Sequence, residues 1–340
     1  MPHEKEGNMT QQLLIGISGG GVLHTDAHVP DVDTVFRMVK ESRAFDYIER
    51  SPPTGQLDAY QRASQTHGVP LLAGGFFYTL DRDEPLLEWH LRIGRECGMR
   101  VQNVQVPIND ASGRRVSNER IADFYLWAAE LGDKLGVTPC FEVHVNMWSE
   151  RFSRVAAVAE LVDRHGVAFN MTLDHSHVIF KIDNPRELAI EDTQQDVDAG
   201  LVILDPFTPG NVCAKWISSN WVRHAHARPA VPANPVNVWA KHPNGRLGRG
   251  IQYPFIRPEP GEWHSEWNEA ALEPWKQVVR MLFAHHADDD RSRLGQVTVE
   301  MIPGIDYGAG ARYSIFDHSV ACARWLRSTW ETTLAERRPG

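Results

Sequence analysis

Eight short apolar runs, separated by longer amphipathic stretches, constrain this chain more than any other feature of its sequence. They are LLIGIS at 13–18, FDYIE at 45–49, VPLLAGGFF at 69–77, VQNVQV at 101–106, CFEVHV at 140–145, AFNMTLD at 168–174, VRHAHA at 222–227 and VTVEMI at 297–302. Each has the length of a strand. Between them, Asp31–Arg43 sets Val32, Val35, Phe36 and Val39 on one helical face. Glu84–Cys97, Asn118–Leu135, Phe152–His165, Ala270–His286 and Ser314–Arg337 show the same spacing. Gly98, Gly136 and Gly166 stand where a helix needs a left-handed residue to stop. A βα unit recurring roughly every 30 residues implies parallel strands joined by right-handed crossovers. Eight such units favour closure into a (β/α)8 barrel over an open sheet, so residues 1–340 read as a single α/β domain.

The rhythm breaks once. The stretch 228–268, RPAVPANPVNVWAKHPNGRLGRGIQYPFIRPEPGEWHSEWN, is rich in Pro, Gly, Trp and basic residues and follows the seventh strand directly. In a barrel, an insertion there overhangs the C-terminal face, where active sites sit, and long loops of this kind are usually functional or disordered.

Composition narrows the function classes. The net charge of −9 argues against a nucleic-acid-binding protein. No apolar run approaches the ~20 residues of a membrane helix, and the polar start MPHEKEGNMTQQ has no signal-peptide core; a cytoplasmic protein is the default expectation. Cys97, Cys140, Cys213 and Cys322 are widely spaced and suit neither a thiolate metal site nor a disulfide framework. The GISGGGVLH run at 16–24 lacks the last glycine of a dinucleotide fingerprint, and Ser176 is in no nucleophile elbow.

The chemistry gathers on the last four strands. The fifth carries Glu142, the sixth ends in Asp174, the seventh carries His224 and His226, and the eighth carries Glu300. Residues two apart on a strand face the same way, so Glu142 shares a face with His144, and His224 with His226, while Val143, Val145, Val299 and Met301 turn toward the helices. One acidic strand end is more often a helix cap or loop anchor, and one buried histidine is usually a satisfied core residue. Ionised carboxylates in apolar strands are expensive unless paired or bound to a cation, and a succession of them on adjacent strands reads as a metal cage. Carboxylate-rich sites favour hard or borderline ions, Mn2+ first, with Mg2+ or Co2+ as alternatives.

These residues resemble the xylose-isomerase-like TIM-barrel superfamily of sugar isomerases, epimerases and lyases over nearly the whole chain. The resemblance implies one divalent metal held by Glu142, Asp174, His226 and Glu300, with His226 preferred to His224 as the second histidine of its His-x-His element. It also implies substrate contact by His177, the histidine of the Asp174-x-x-His177 pattern. The strings FEVHVNMW and LDHSHVIF, followed by a long aromatic insertion, are similar to the large subunit of bacterial C-glycoside deglycosidases. That implies a carbohydrate lyase acting on a 3-oxo-glycoside: His144 removes the C2 proton and the C1 substituent leaves by β-elimination. His177, His224, His242 or Arg249 then position or protonate the departing aglycone. Trp239, Trp263 and Trp267 would wall an aryl group, and a small β-type partner subunit or a homo-oligomer is implied as well.

Two other readings stay open. A sugar isomerase or epimerase acting on a free ketose or keto-sugar would use Glu142 and Glu300 as its proton shuttle. A non-catalytic sugar- or polyphenol-binding barrel would bind without turnover. Glu49, Asn109 and Asp110 either face the substrate pocket or, the more expected duty, cap helices, and Arg312 and Tyr313 either contact a sugar or open the last helix.

Overall fold

The computed structural model describes residues 13–337; the polar start read for targeting signals lies outside them. The barrel strands are β1 (Leu14–Ser18), β2 (Tyr47–Glu49), β3 (Leu71–Phe77), β4 (Val101–Gln105), β5 (Thr138–Glu142), β6 (Met171–Asp174) and β7 (Val222–Ala227). The stretch after β7 contributes β8 (Asn237–Lys241) and β9 (Leu247–Gly248), an antiparallel ribbon, so the eighth barrel strand is β10 (Gln296–Val299). All barrel pairs are parallel, and β10 closes the ring between β1 and β7 with Leu14 opposite Gln296 and His226 opposite Thr298. The expected (β/α)8 closure is the fold observed.

Helices α1 (Val32–Ser42), α2 (Leu57–His67), α3 (Glu84–Cys97), α4 (Asn118–Leu135) and α5 (Ser153–Asp163) follow the first five strands. Asp31 and Ser117 cap α1 and α4 by accepting from the backbone N–H of Thr34 and Arg120. Gly98 and Gly136 end α3 and α4 in the left-handed conformation as expected, whereas Gly166 lies two residues beyond the Arg164 cap of α5. Helix α2 escaped the periodicity argument because its buried residues are only Tyr60 and Ala63. Between β6 and β7 the crossover is broken into α6 (Ser176–Ile179), α7 (Pro185–Leu188), α8 (Thr193–Asp198) and α9 (Val212–Ser218). Helices α10 (Glu273–Asp288) and α11 (Ile315–Ala335) complete the outer ring. None of the described helices is long and apolar enough to cross a membrane.

Val143, Val145, Val299 and Met301 are buried in the core between barrel and helices, as alternation requires. Cys140, Cys213 and Cys322 are buried too, and all four cysteines are free. Inside the barrel the floor is polar and knit across strands. The Tyr47 hydroxyl pairs with Thr298 Oγ1 at 2.7 Å, and Thr298 Oγ1 pairs with His224 Nε2 at 2.9 Å. Tyr47 has room for this only because Gly16 on the neighbouring strand has no side chain; a Cβ there would fall inside the Tyr47 ring.

The stretch 228–268 is ordered by polar ties. Asn237 Nδ2 donates to the carbonyls of Ile305 and Ala309 at 3.1 and 3.0 Å. Arg249 reaches Glu150 at 2.6 Å and Glu187 at 2.5 Å, and Lys181 joins Glu150 at 3.0 Å. Two acids and two bases thus neutralise one another in a buried cluster that ties the stretch to the loops following β5 and β6. Trp263 packs edge-on against Trp239 and Tyr253, and Trp267 Nε1 donates to the Pro254 carbonyl.

Overpacking at the barrel floor is the direct test of this arrangement. Gly16→Val, although valine is a good strand residue, is expected to lower stability by about 1–3 kcal/mol in urea denaturation. A neutral effect would mean that Tyr47 does not fill the position.

Candidate metal centre

Strands β5, β6 and β7 present Glu142, Asp174 and His226 at neighbouring heights, because Glu142 sits opposite Thr172 and Asp174 opposite His226. Glu300 follows directly on β10. One ligand atom from each of Glu142, Asp174, His226 and Glu300 lies within 4.8 Å of all the others. The first three side chains are fully enclosed and Glu300 is 13 % exposed.

Three carboxylates converging out of water require positive charge. His226 supplies part of it: Nδ1 stands 3.0 Å from Glu142 Oε1 and 2.8 Å from Glu300 Oε2. Burial opposes a charged imidazole here, but Glu300, Glu49 and Glu142 together overcome it and lift the His226 pKa well above the ordinary range. Arg228 supplies the rest. Its guanidinium is wholly buried, bridges Asp174 Oδ2 and Glu300 Oε2, and donates from Nε to the Glu300 carbonyl at 2.9 Å. Burial would raise the Glu300 carboxyl, but Arg228 and His226 hold it down to about 2, and Arg228 and His177 likewise keep Asp174 well below the usual range against its own burial. Glu142 is fixed from β4, where Asn103 Nδ2 (2.6 Å) and Gln105 Nε2 both donate to Oε2.

His144 and His177 join this site, their rings 4.2 Å apart. His144 lies just past the end of β5, and its Nδ1 donates to the Val145 carbonyl. That leaves Nε2 to accept from the Tyr307 hydroxyl at 2.9 Å. Burial pushes the His144 pKa down to about 4, helped by His177, so the neutral imidazole is its resting form. Burial also raises the Tyr307 hydroxyl above its ordinary range, against the pull of Arg228, whose guanidinium lies 4.3 Å from the ring centroid. His224 lies below, in the barrel floor, bonded to Thr298.

Other expected residues are elsewhere. His242 pairs with Asp306 at 2.7 Å, and Arg249 is spent on the buried Glu150–Glu187 cluster. Asp110 caps a turn through the N–H groups of Ser112 and Arg114, and Asn109 bridges to Arg115. Tyr313 is buried against Gln252, while Arg312 covers Trp239. Glu49 does not cap a helix: α2 starts from Gln56, and Glu49 enters the barrel to meet His226.

A cleft of about 420 Å³ opens over the cage, lined by Glu300, Asn103, Gln105 and Glu49 at its polar end and by Arg50, Phe76 and Phe77 farther out. Phe76 and Phe77 are 44 % and 49 % exposed. The aromatic residues on this cleft are therefore the last residues of β3, while the tryptophans of 228–268 pack among themselves and against the core.

Two measurements follow from the charge balance. Arg228→Met leaves adjacent buried carboxylates without their guanidinium and is expected to destabilise the metal-free protein by about 3–5 kcal/mol, with saturating Mn2+ restoring part of the loss in urea melts. Because the metal-free His226 holds its proton at neutral pH, ion binding through Nδ1 must displace it. Calorimetry in two buffers of different ionisation enthalpy is expected to show about one proton released per ion at pH 7, and no release would contradict ligation by His226.

No family model matches this sequence, and no curated protein matches it. Solved structures do align with it. The apo 3-keto-D-glucoside 4-epimerase of E. coli aligns with a TM-score of 0.50 and 12% identity, covering 93% of this chain and 100% of that one. A xylose isomerase-like TIM-barrel protein of Mycobacterium smegmatis in complex with magnesium gives 0.53 and 9%, over 96% and 98%. The probable 3-DHS dehydratase of Bacillus anthracis involved in petrobactin synthesis gives 0.55 and 10%, over 92% and 98%. At such identities the likeness establishes architecture alone, and the architecture is the (β/α)8 barrel.

Proposed function

We propose that this chain is a divalent-metal-dependent carbohydrate enzyme that works beside the carbonyl of an oxidised sugar, as a lyase on a 3-oxo-glycoside of the C-glycoside deglycosidase type. The observation that carries the reading is the gathering of four buried donors beside a neutral imidazole, His144, which is hydrogen-bonded to the Tyr307 phenol. The donor set fits a hard or borderline cation: three carboxylates and one imidazole nitrogen converge, Glu142 already oriented by two amides. Glu142, Asp174, His226 and Glu300 would hold the ion, Mn2+ by preference with Mg2+ or Co2+ as alternatives. Once bound, it supplies a Lewis acid for a carbonyl oxygen.

The protein's own groups then divide the work. His144 Nε2 is the base for the C2 proton: its other nitrogen is committed to Val145, and its low pKa keeps it unprotonated. The electron pair released at C2 forms the C1–C2 double bond as the C1 substituent departs. Tyr307, hydrogen-bonded to His144 and held protonated, is the group that returns a proton to the departing fragment. The sugar lies at the polar end of the cleft, where Asn103 Oδ1 and Gln105 Oε1 are buried acceptors without partners among the described residues. An aryl aglycone lies outward against Phe76 and Phe77. The E. coli neighbour's name as a 3-keto-glucoside epimerase and the B. anthracis neighbour's as a dehydratase support an oxidised sugar and an elimination, respectively.

The isomerase or epimerase reading needs Glu142 and Glu300 as a free proton shuttle. Both Glu142 oxygens are already engaged, by His226 and by the two amides, and Glu300 is held by Arg228. This favours His144 as the mobile base. The reading includes the small partner subunit or the self-association that the sequence resemblance implies; gel filtration of the chain alone and co-expressed with a candidate subunit separates the two.

With Mn2+ added, the protein is expected to release aglycone from an aryl 3-oxo-glucoside and to leave free ketoses unchanged. His144→Ala is expected to lower kcat by at least about 100-fold while the ion content per chain stays at the wild-type level. Epimer from a ketose without aglycone release would replace the lyase reading by the isomerase one.

A further inference from the structure

Glu49 is an acid at the barrel mouth that lies outside the four-donor cage yet touches it, and it comes from β2, on the far side of the ring from β5 and β6. Both of its oxygens stand 3.1 Å from His226 Nε2. Glu142 and Glu300 stand at the opposite nitrogen, Nδ1. The histidine is therefore gripped by carboxylates at both ring nitrogens, and Glu49 groups with His224 and His226 in a separate triad from the cage.

We propose that Glu49 is a positioning residue that fixes the His226 tautomer, taking the proton on Nε2 so that the Nδ1 lone pair faces the cage; the inference rests on the metal-binding reading given above. A neutral imidazole has one N–H and one lone pair, and the hydrogen bond at one nitrogen decides which is which. Without an acceptor at Nε2, the proton would be drawn to Nδ1, toward Glu142 and Glu300, and would occupy the direction a cation needs. An outer carboxylate of this kind also raises the basicity of the ligating nitrogen.

The surroundings of Glu49 are built to hold it at that nitrogen. Gly75 on the adjacent strand leaves the space Glu49 uses, since a Cβ there would lie 3.1 Å from Glu49 Oε1. From below, the His224 ring meets His226 edge-on at 4.9 Å and is itself locked by Thr172 and Thr298. The His226 ring thus has a floor on one side and a fixed acceptor at its outer nitrogen.

The test uses the full chain, with Mn2+ affinity read from the free-ion paramagnetic signal and the ring state of His226 read by 15N NMR on the Mg2+-loaded protein. Glu49→Ala is expected to weaken Mn2+ binding about 10- to 100-fold. Glu49→Gln, which keeps an acceptor oxygen, is expected to recover most of that loss. The wild-type spectrum is expected to show the proton on Nε2. A Glu49→Ala protein that binds Mn2+ within twofold of wild type, or a wild-type ring carrying its proton on Nδ1, would overturn the assignment. If Glu49→Ala fails to fold, the Glu49→Gln affinity and the wild-type spectrum still decide it. Wild-type protein that binds no divalent ion removes the metal reading itself, whereas ion binding indifferent to Glu49 removes only this inference.

Discussion

Everything at the mouth of this barrel is arranged around the mutual repulsion of carboxylates that the strands bring together. Asp174, Glu142 and Glu300 come from the ends of three strands, which parallel pairing brings to neighbouring heights. Close to one another and away from water, they are tolerable only beside positive charge. Arg228 and a charged His226 meet that need without an ion. In the proposed metal-bound form a divalent cation would take over the part that His226 plays, so that protonation and metal binding would compete for one nitrogen. Burial, more than the charges of the cluster, keeps the Tyr307 hydroxyl protonated and the His144 imidazole neutral.

The stretch after β7 is held by polar contacts together with the burial of Ala230, Val231, Ile251, Tyr253 and Phe255 in the core. Its buried Arg249 satisfies two glutamates whose backbones belong to the loops after β5 and β6, and Asn237 ties it to carbonyls beyond β10. Such pairs contribute little net stability but fix geometry, since a displaced partner leaves a buried charge alone. The aromatic residues of the stretch pack inward on one another, so the cleft is walled by Phe76 and Phe77.

Strand number, barrel closure and the gathering of Glu142, Asp174, His226 and Glu300 were legible in the sequence because each depends on a local signal: an apolar run, a period of two, an acid where a strand ends. Glu49 reads from the sequence as a cap more readily than as a pocket residue, since a lone acid after a short strand suits either, and only the crossing of the barrel interior shows its partner. Arg228 was within reach: it continues the alternation His224, His226, but it was counted with the loop because the strand pattern stops at Ala227. Tyr307 offers no pattern, since it depends on a turn after β10, and Phe77 reads only as the end of an apolar run, its exposure depending on how far β3 projects. Arg249 and His242 looked suited to a substrate because basic residues in long loops often are, whereas Arg249 is consumed by buried glutamates and His242 by Asp306.

Arg228 is both the last word of the barrel's charge balance and the first residue of the long stretch that follows. In many barrels the loops at this face are interchangeable parts, exchanged to alter specificity while the scaffold is left alone. Here the boundary between scaffold and loop runs through a guanidinium that two cage carboxylates require. Grafting a foreign loop after Ala227 would remove part of the cage's charge balance along with the loop, so an exchangeable module in this chain begins only beyond Arg228.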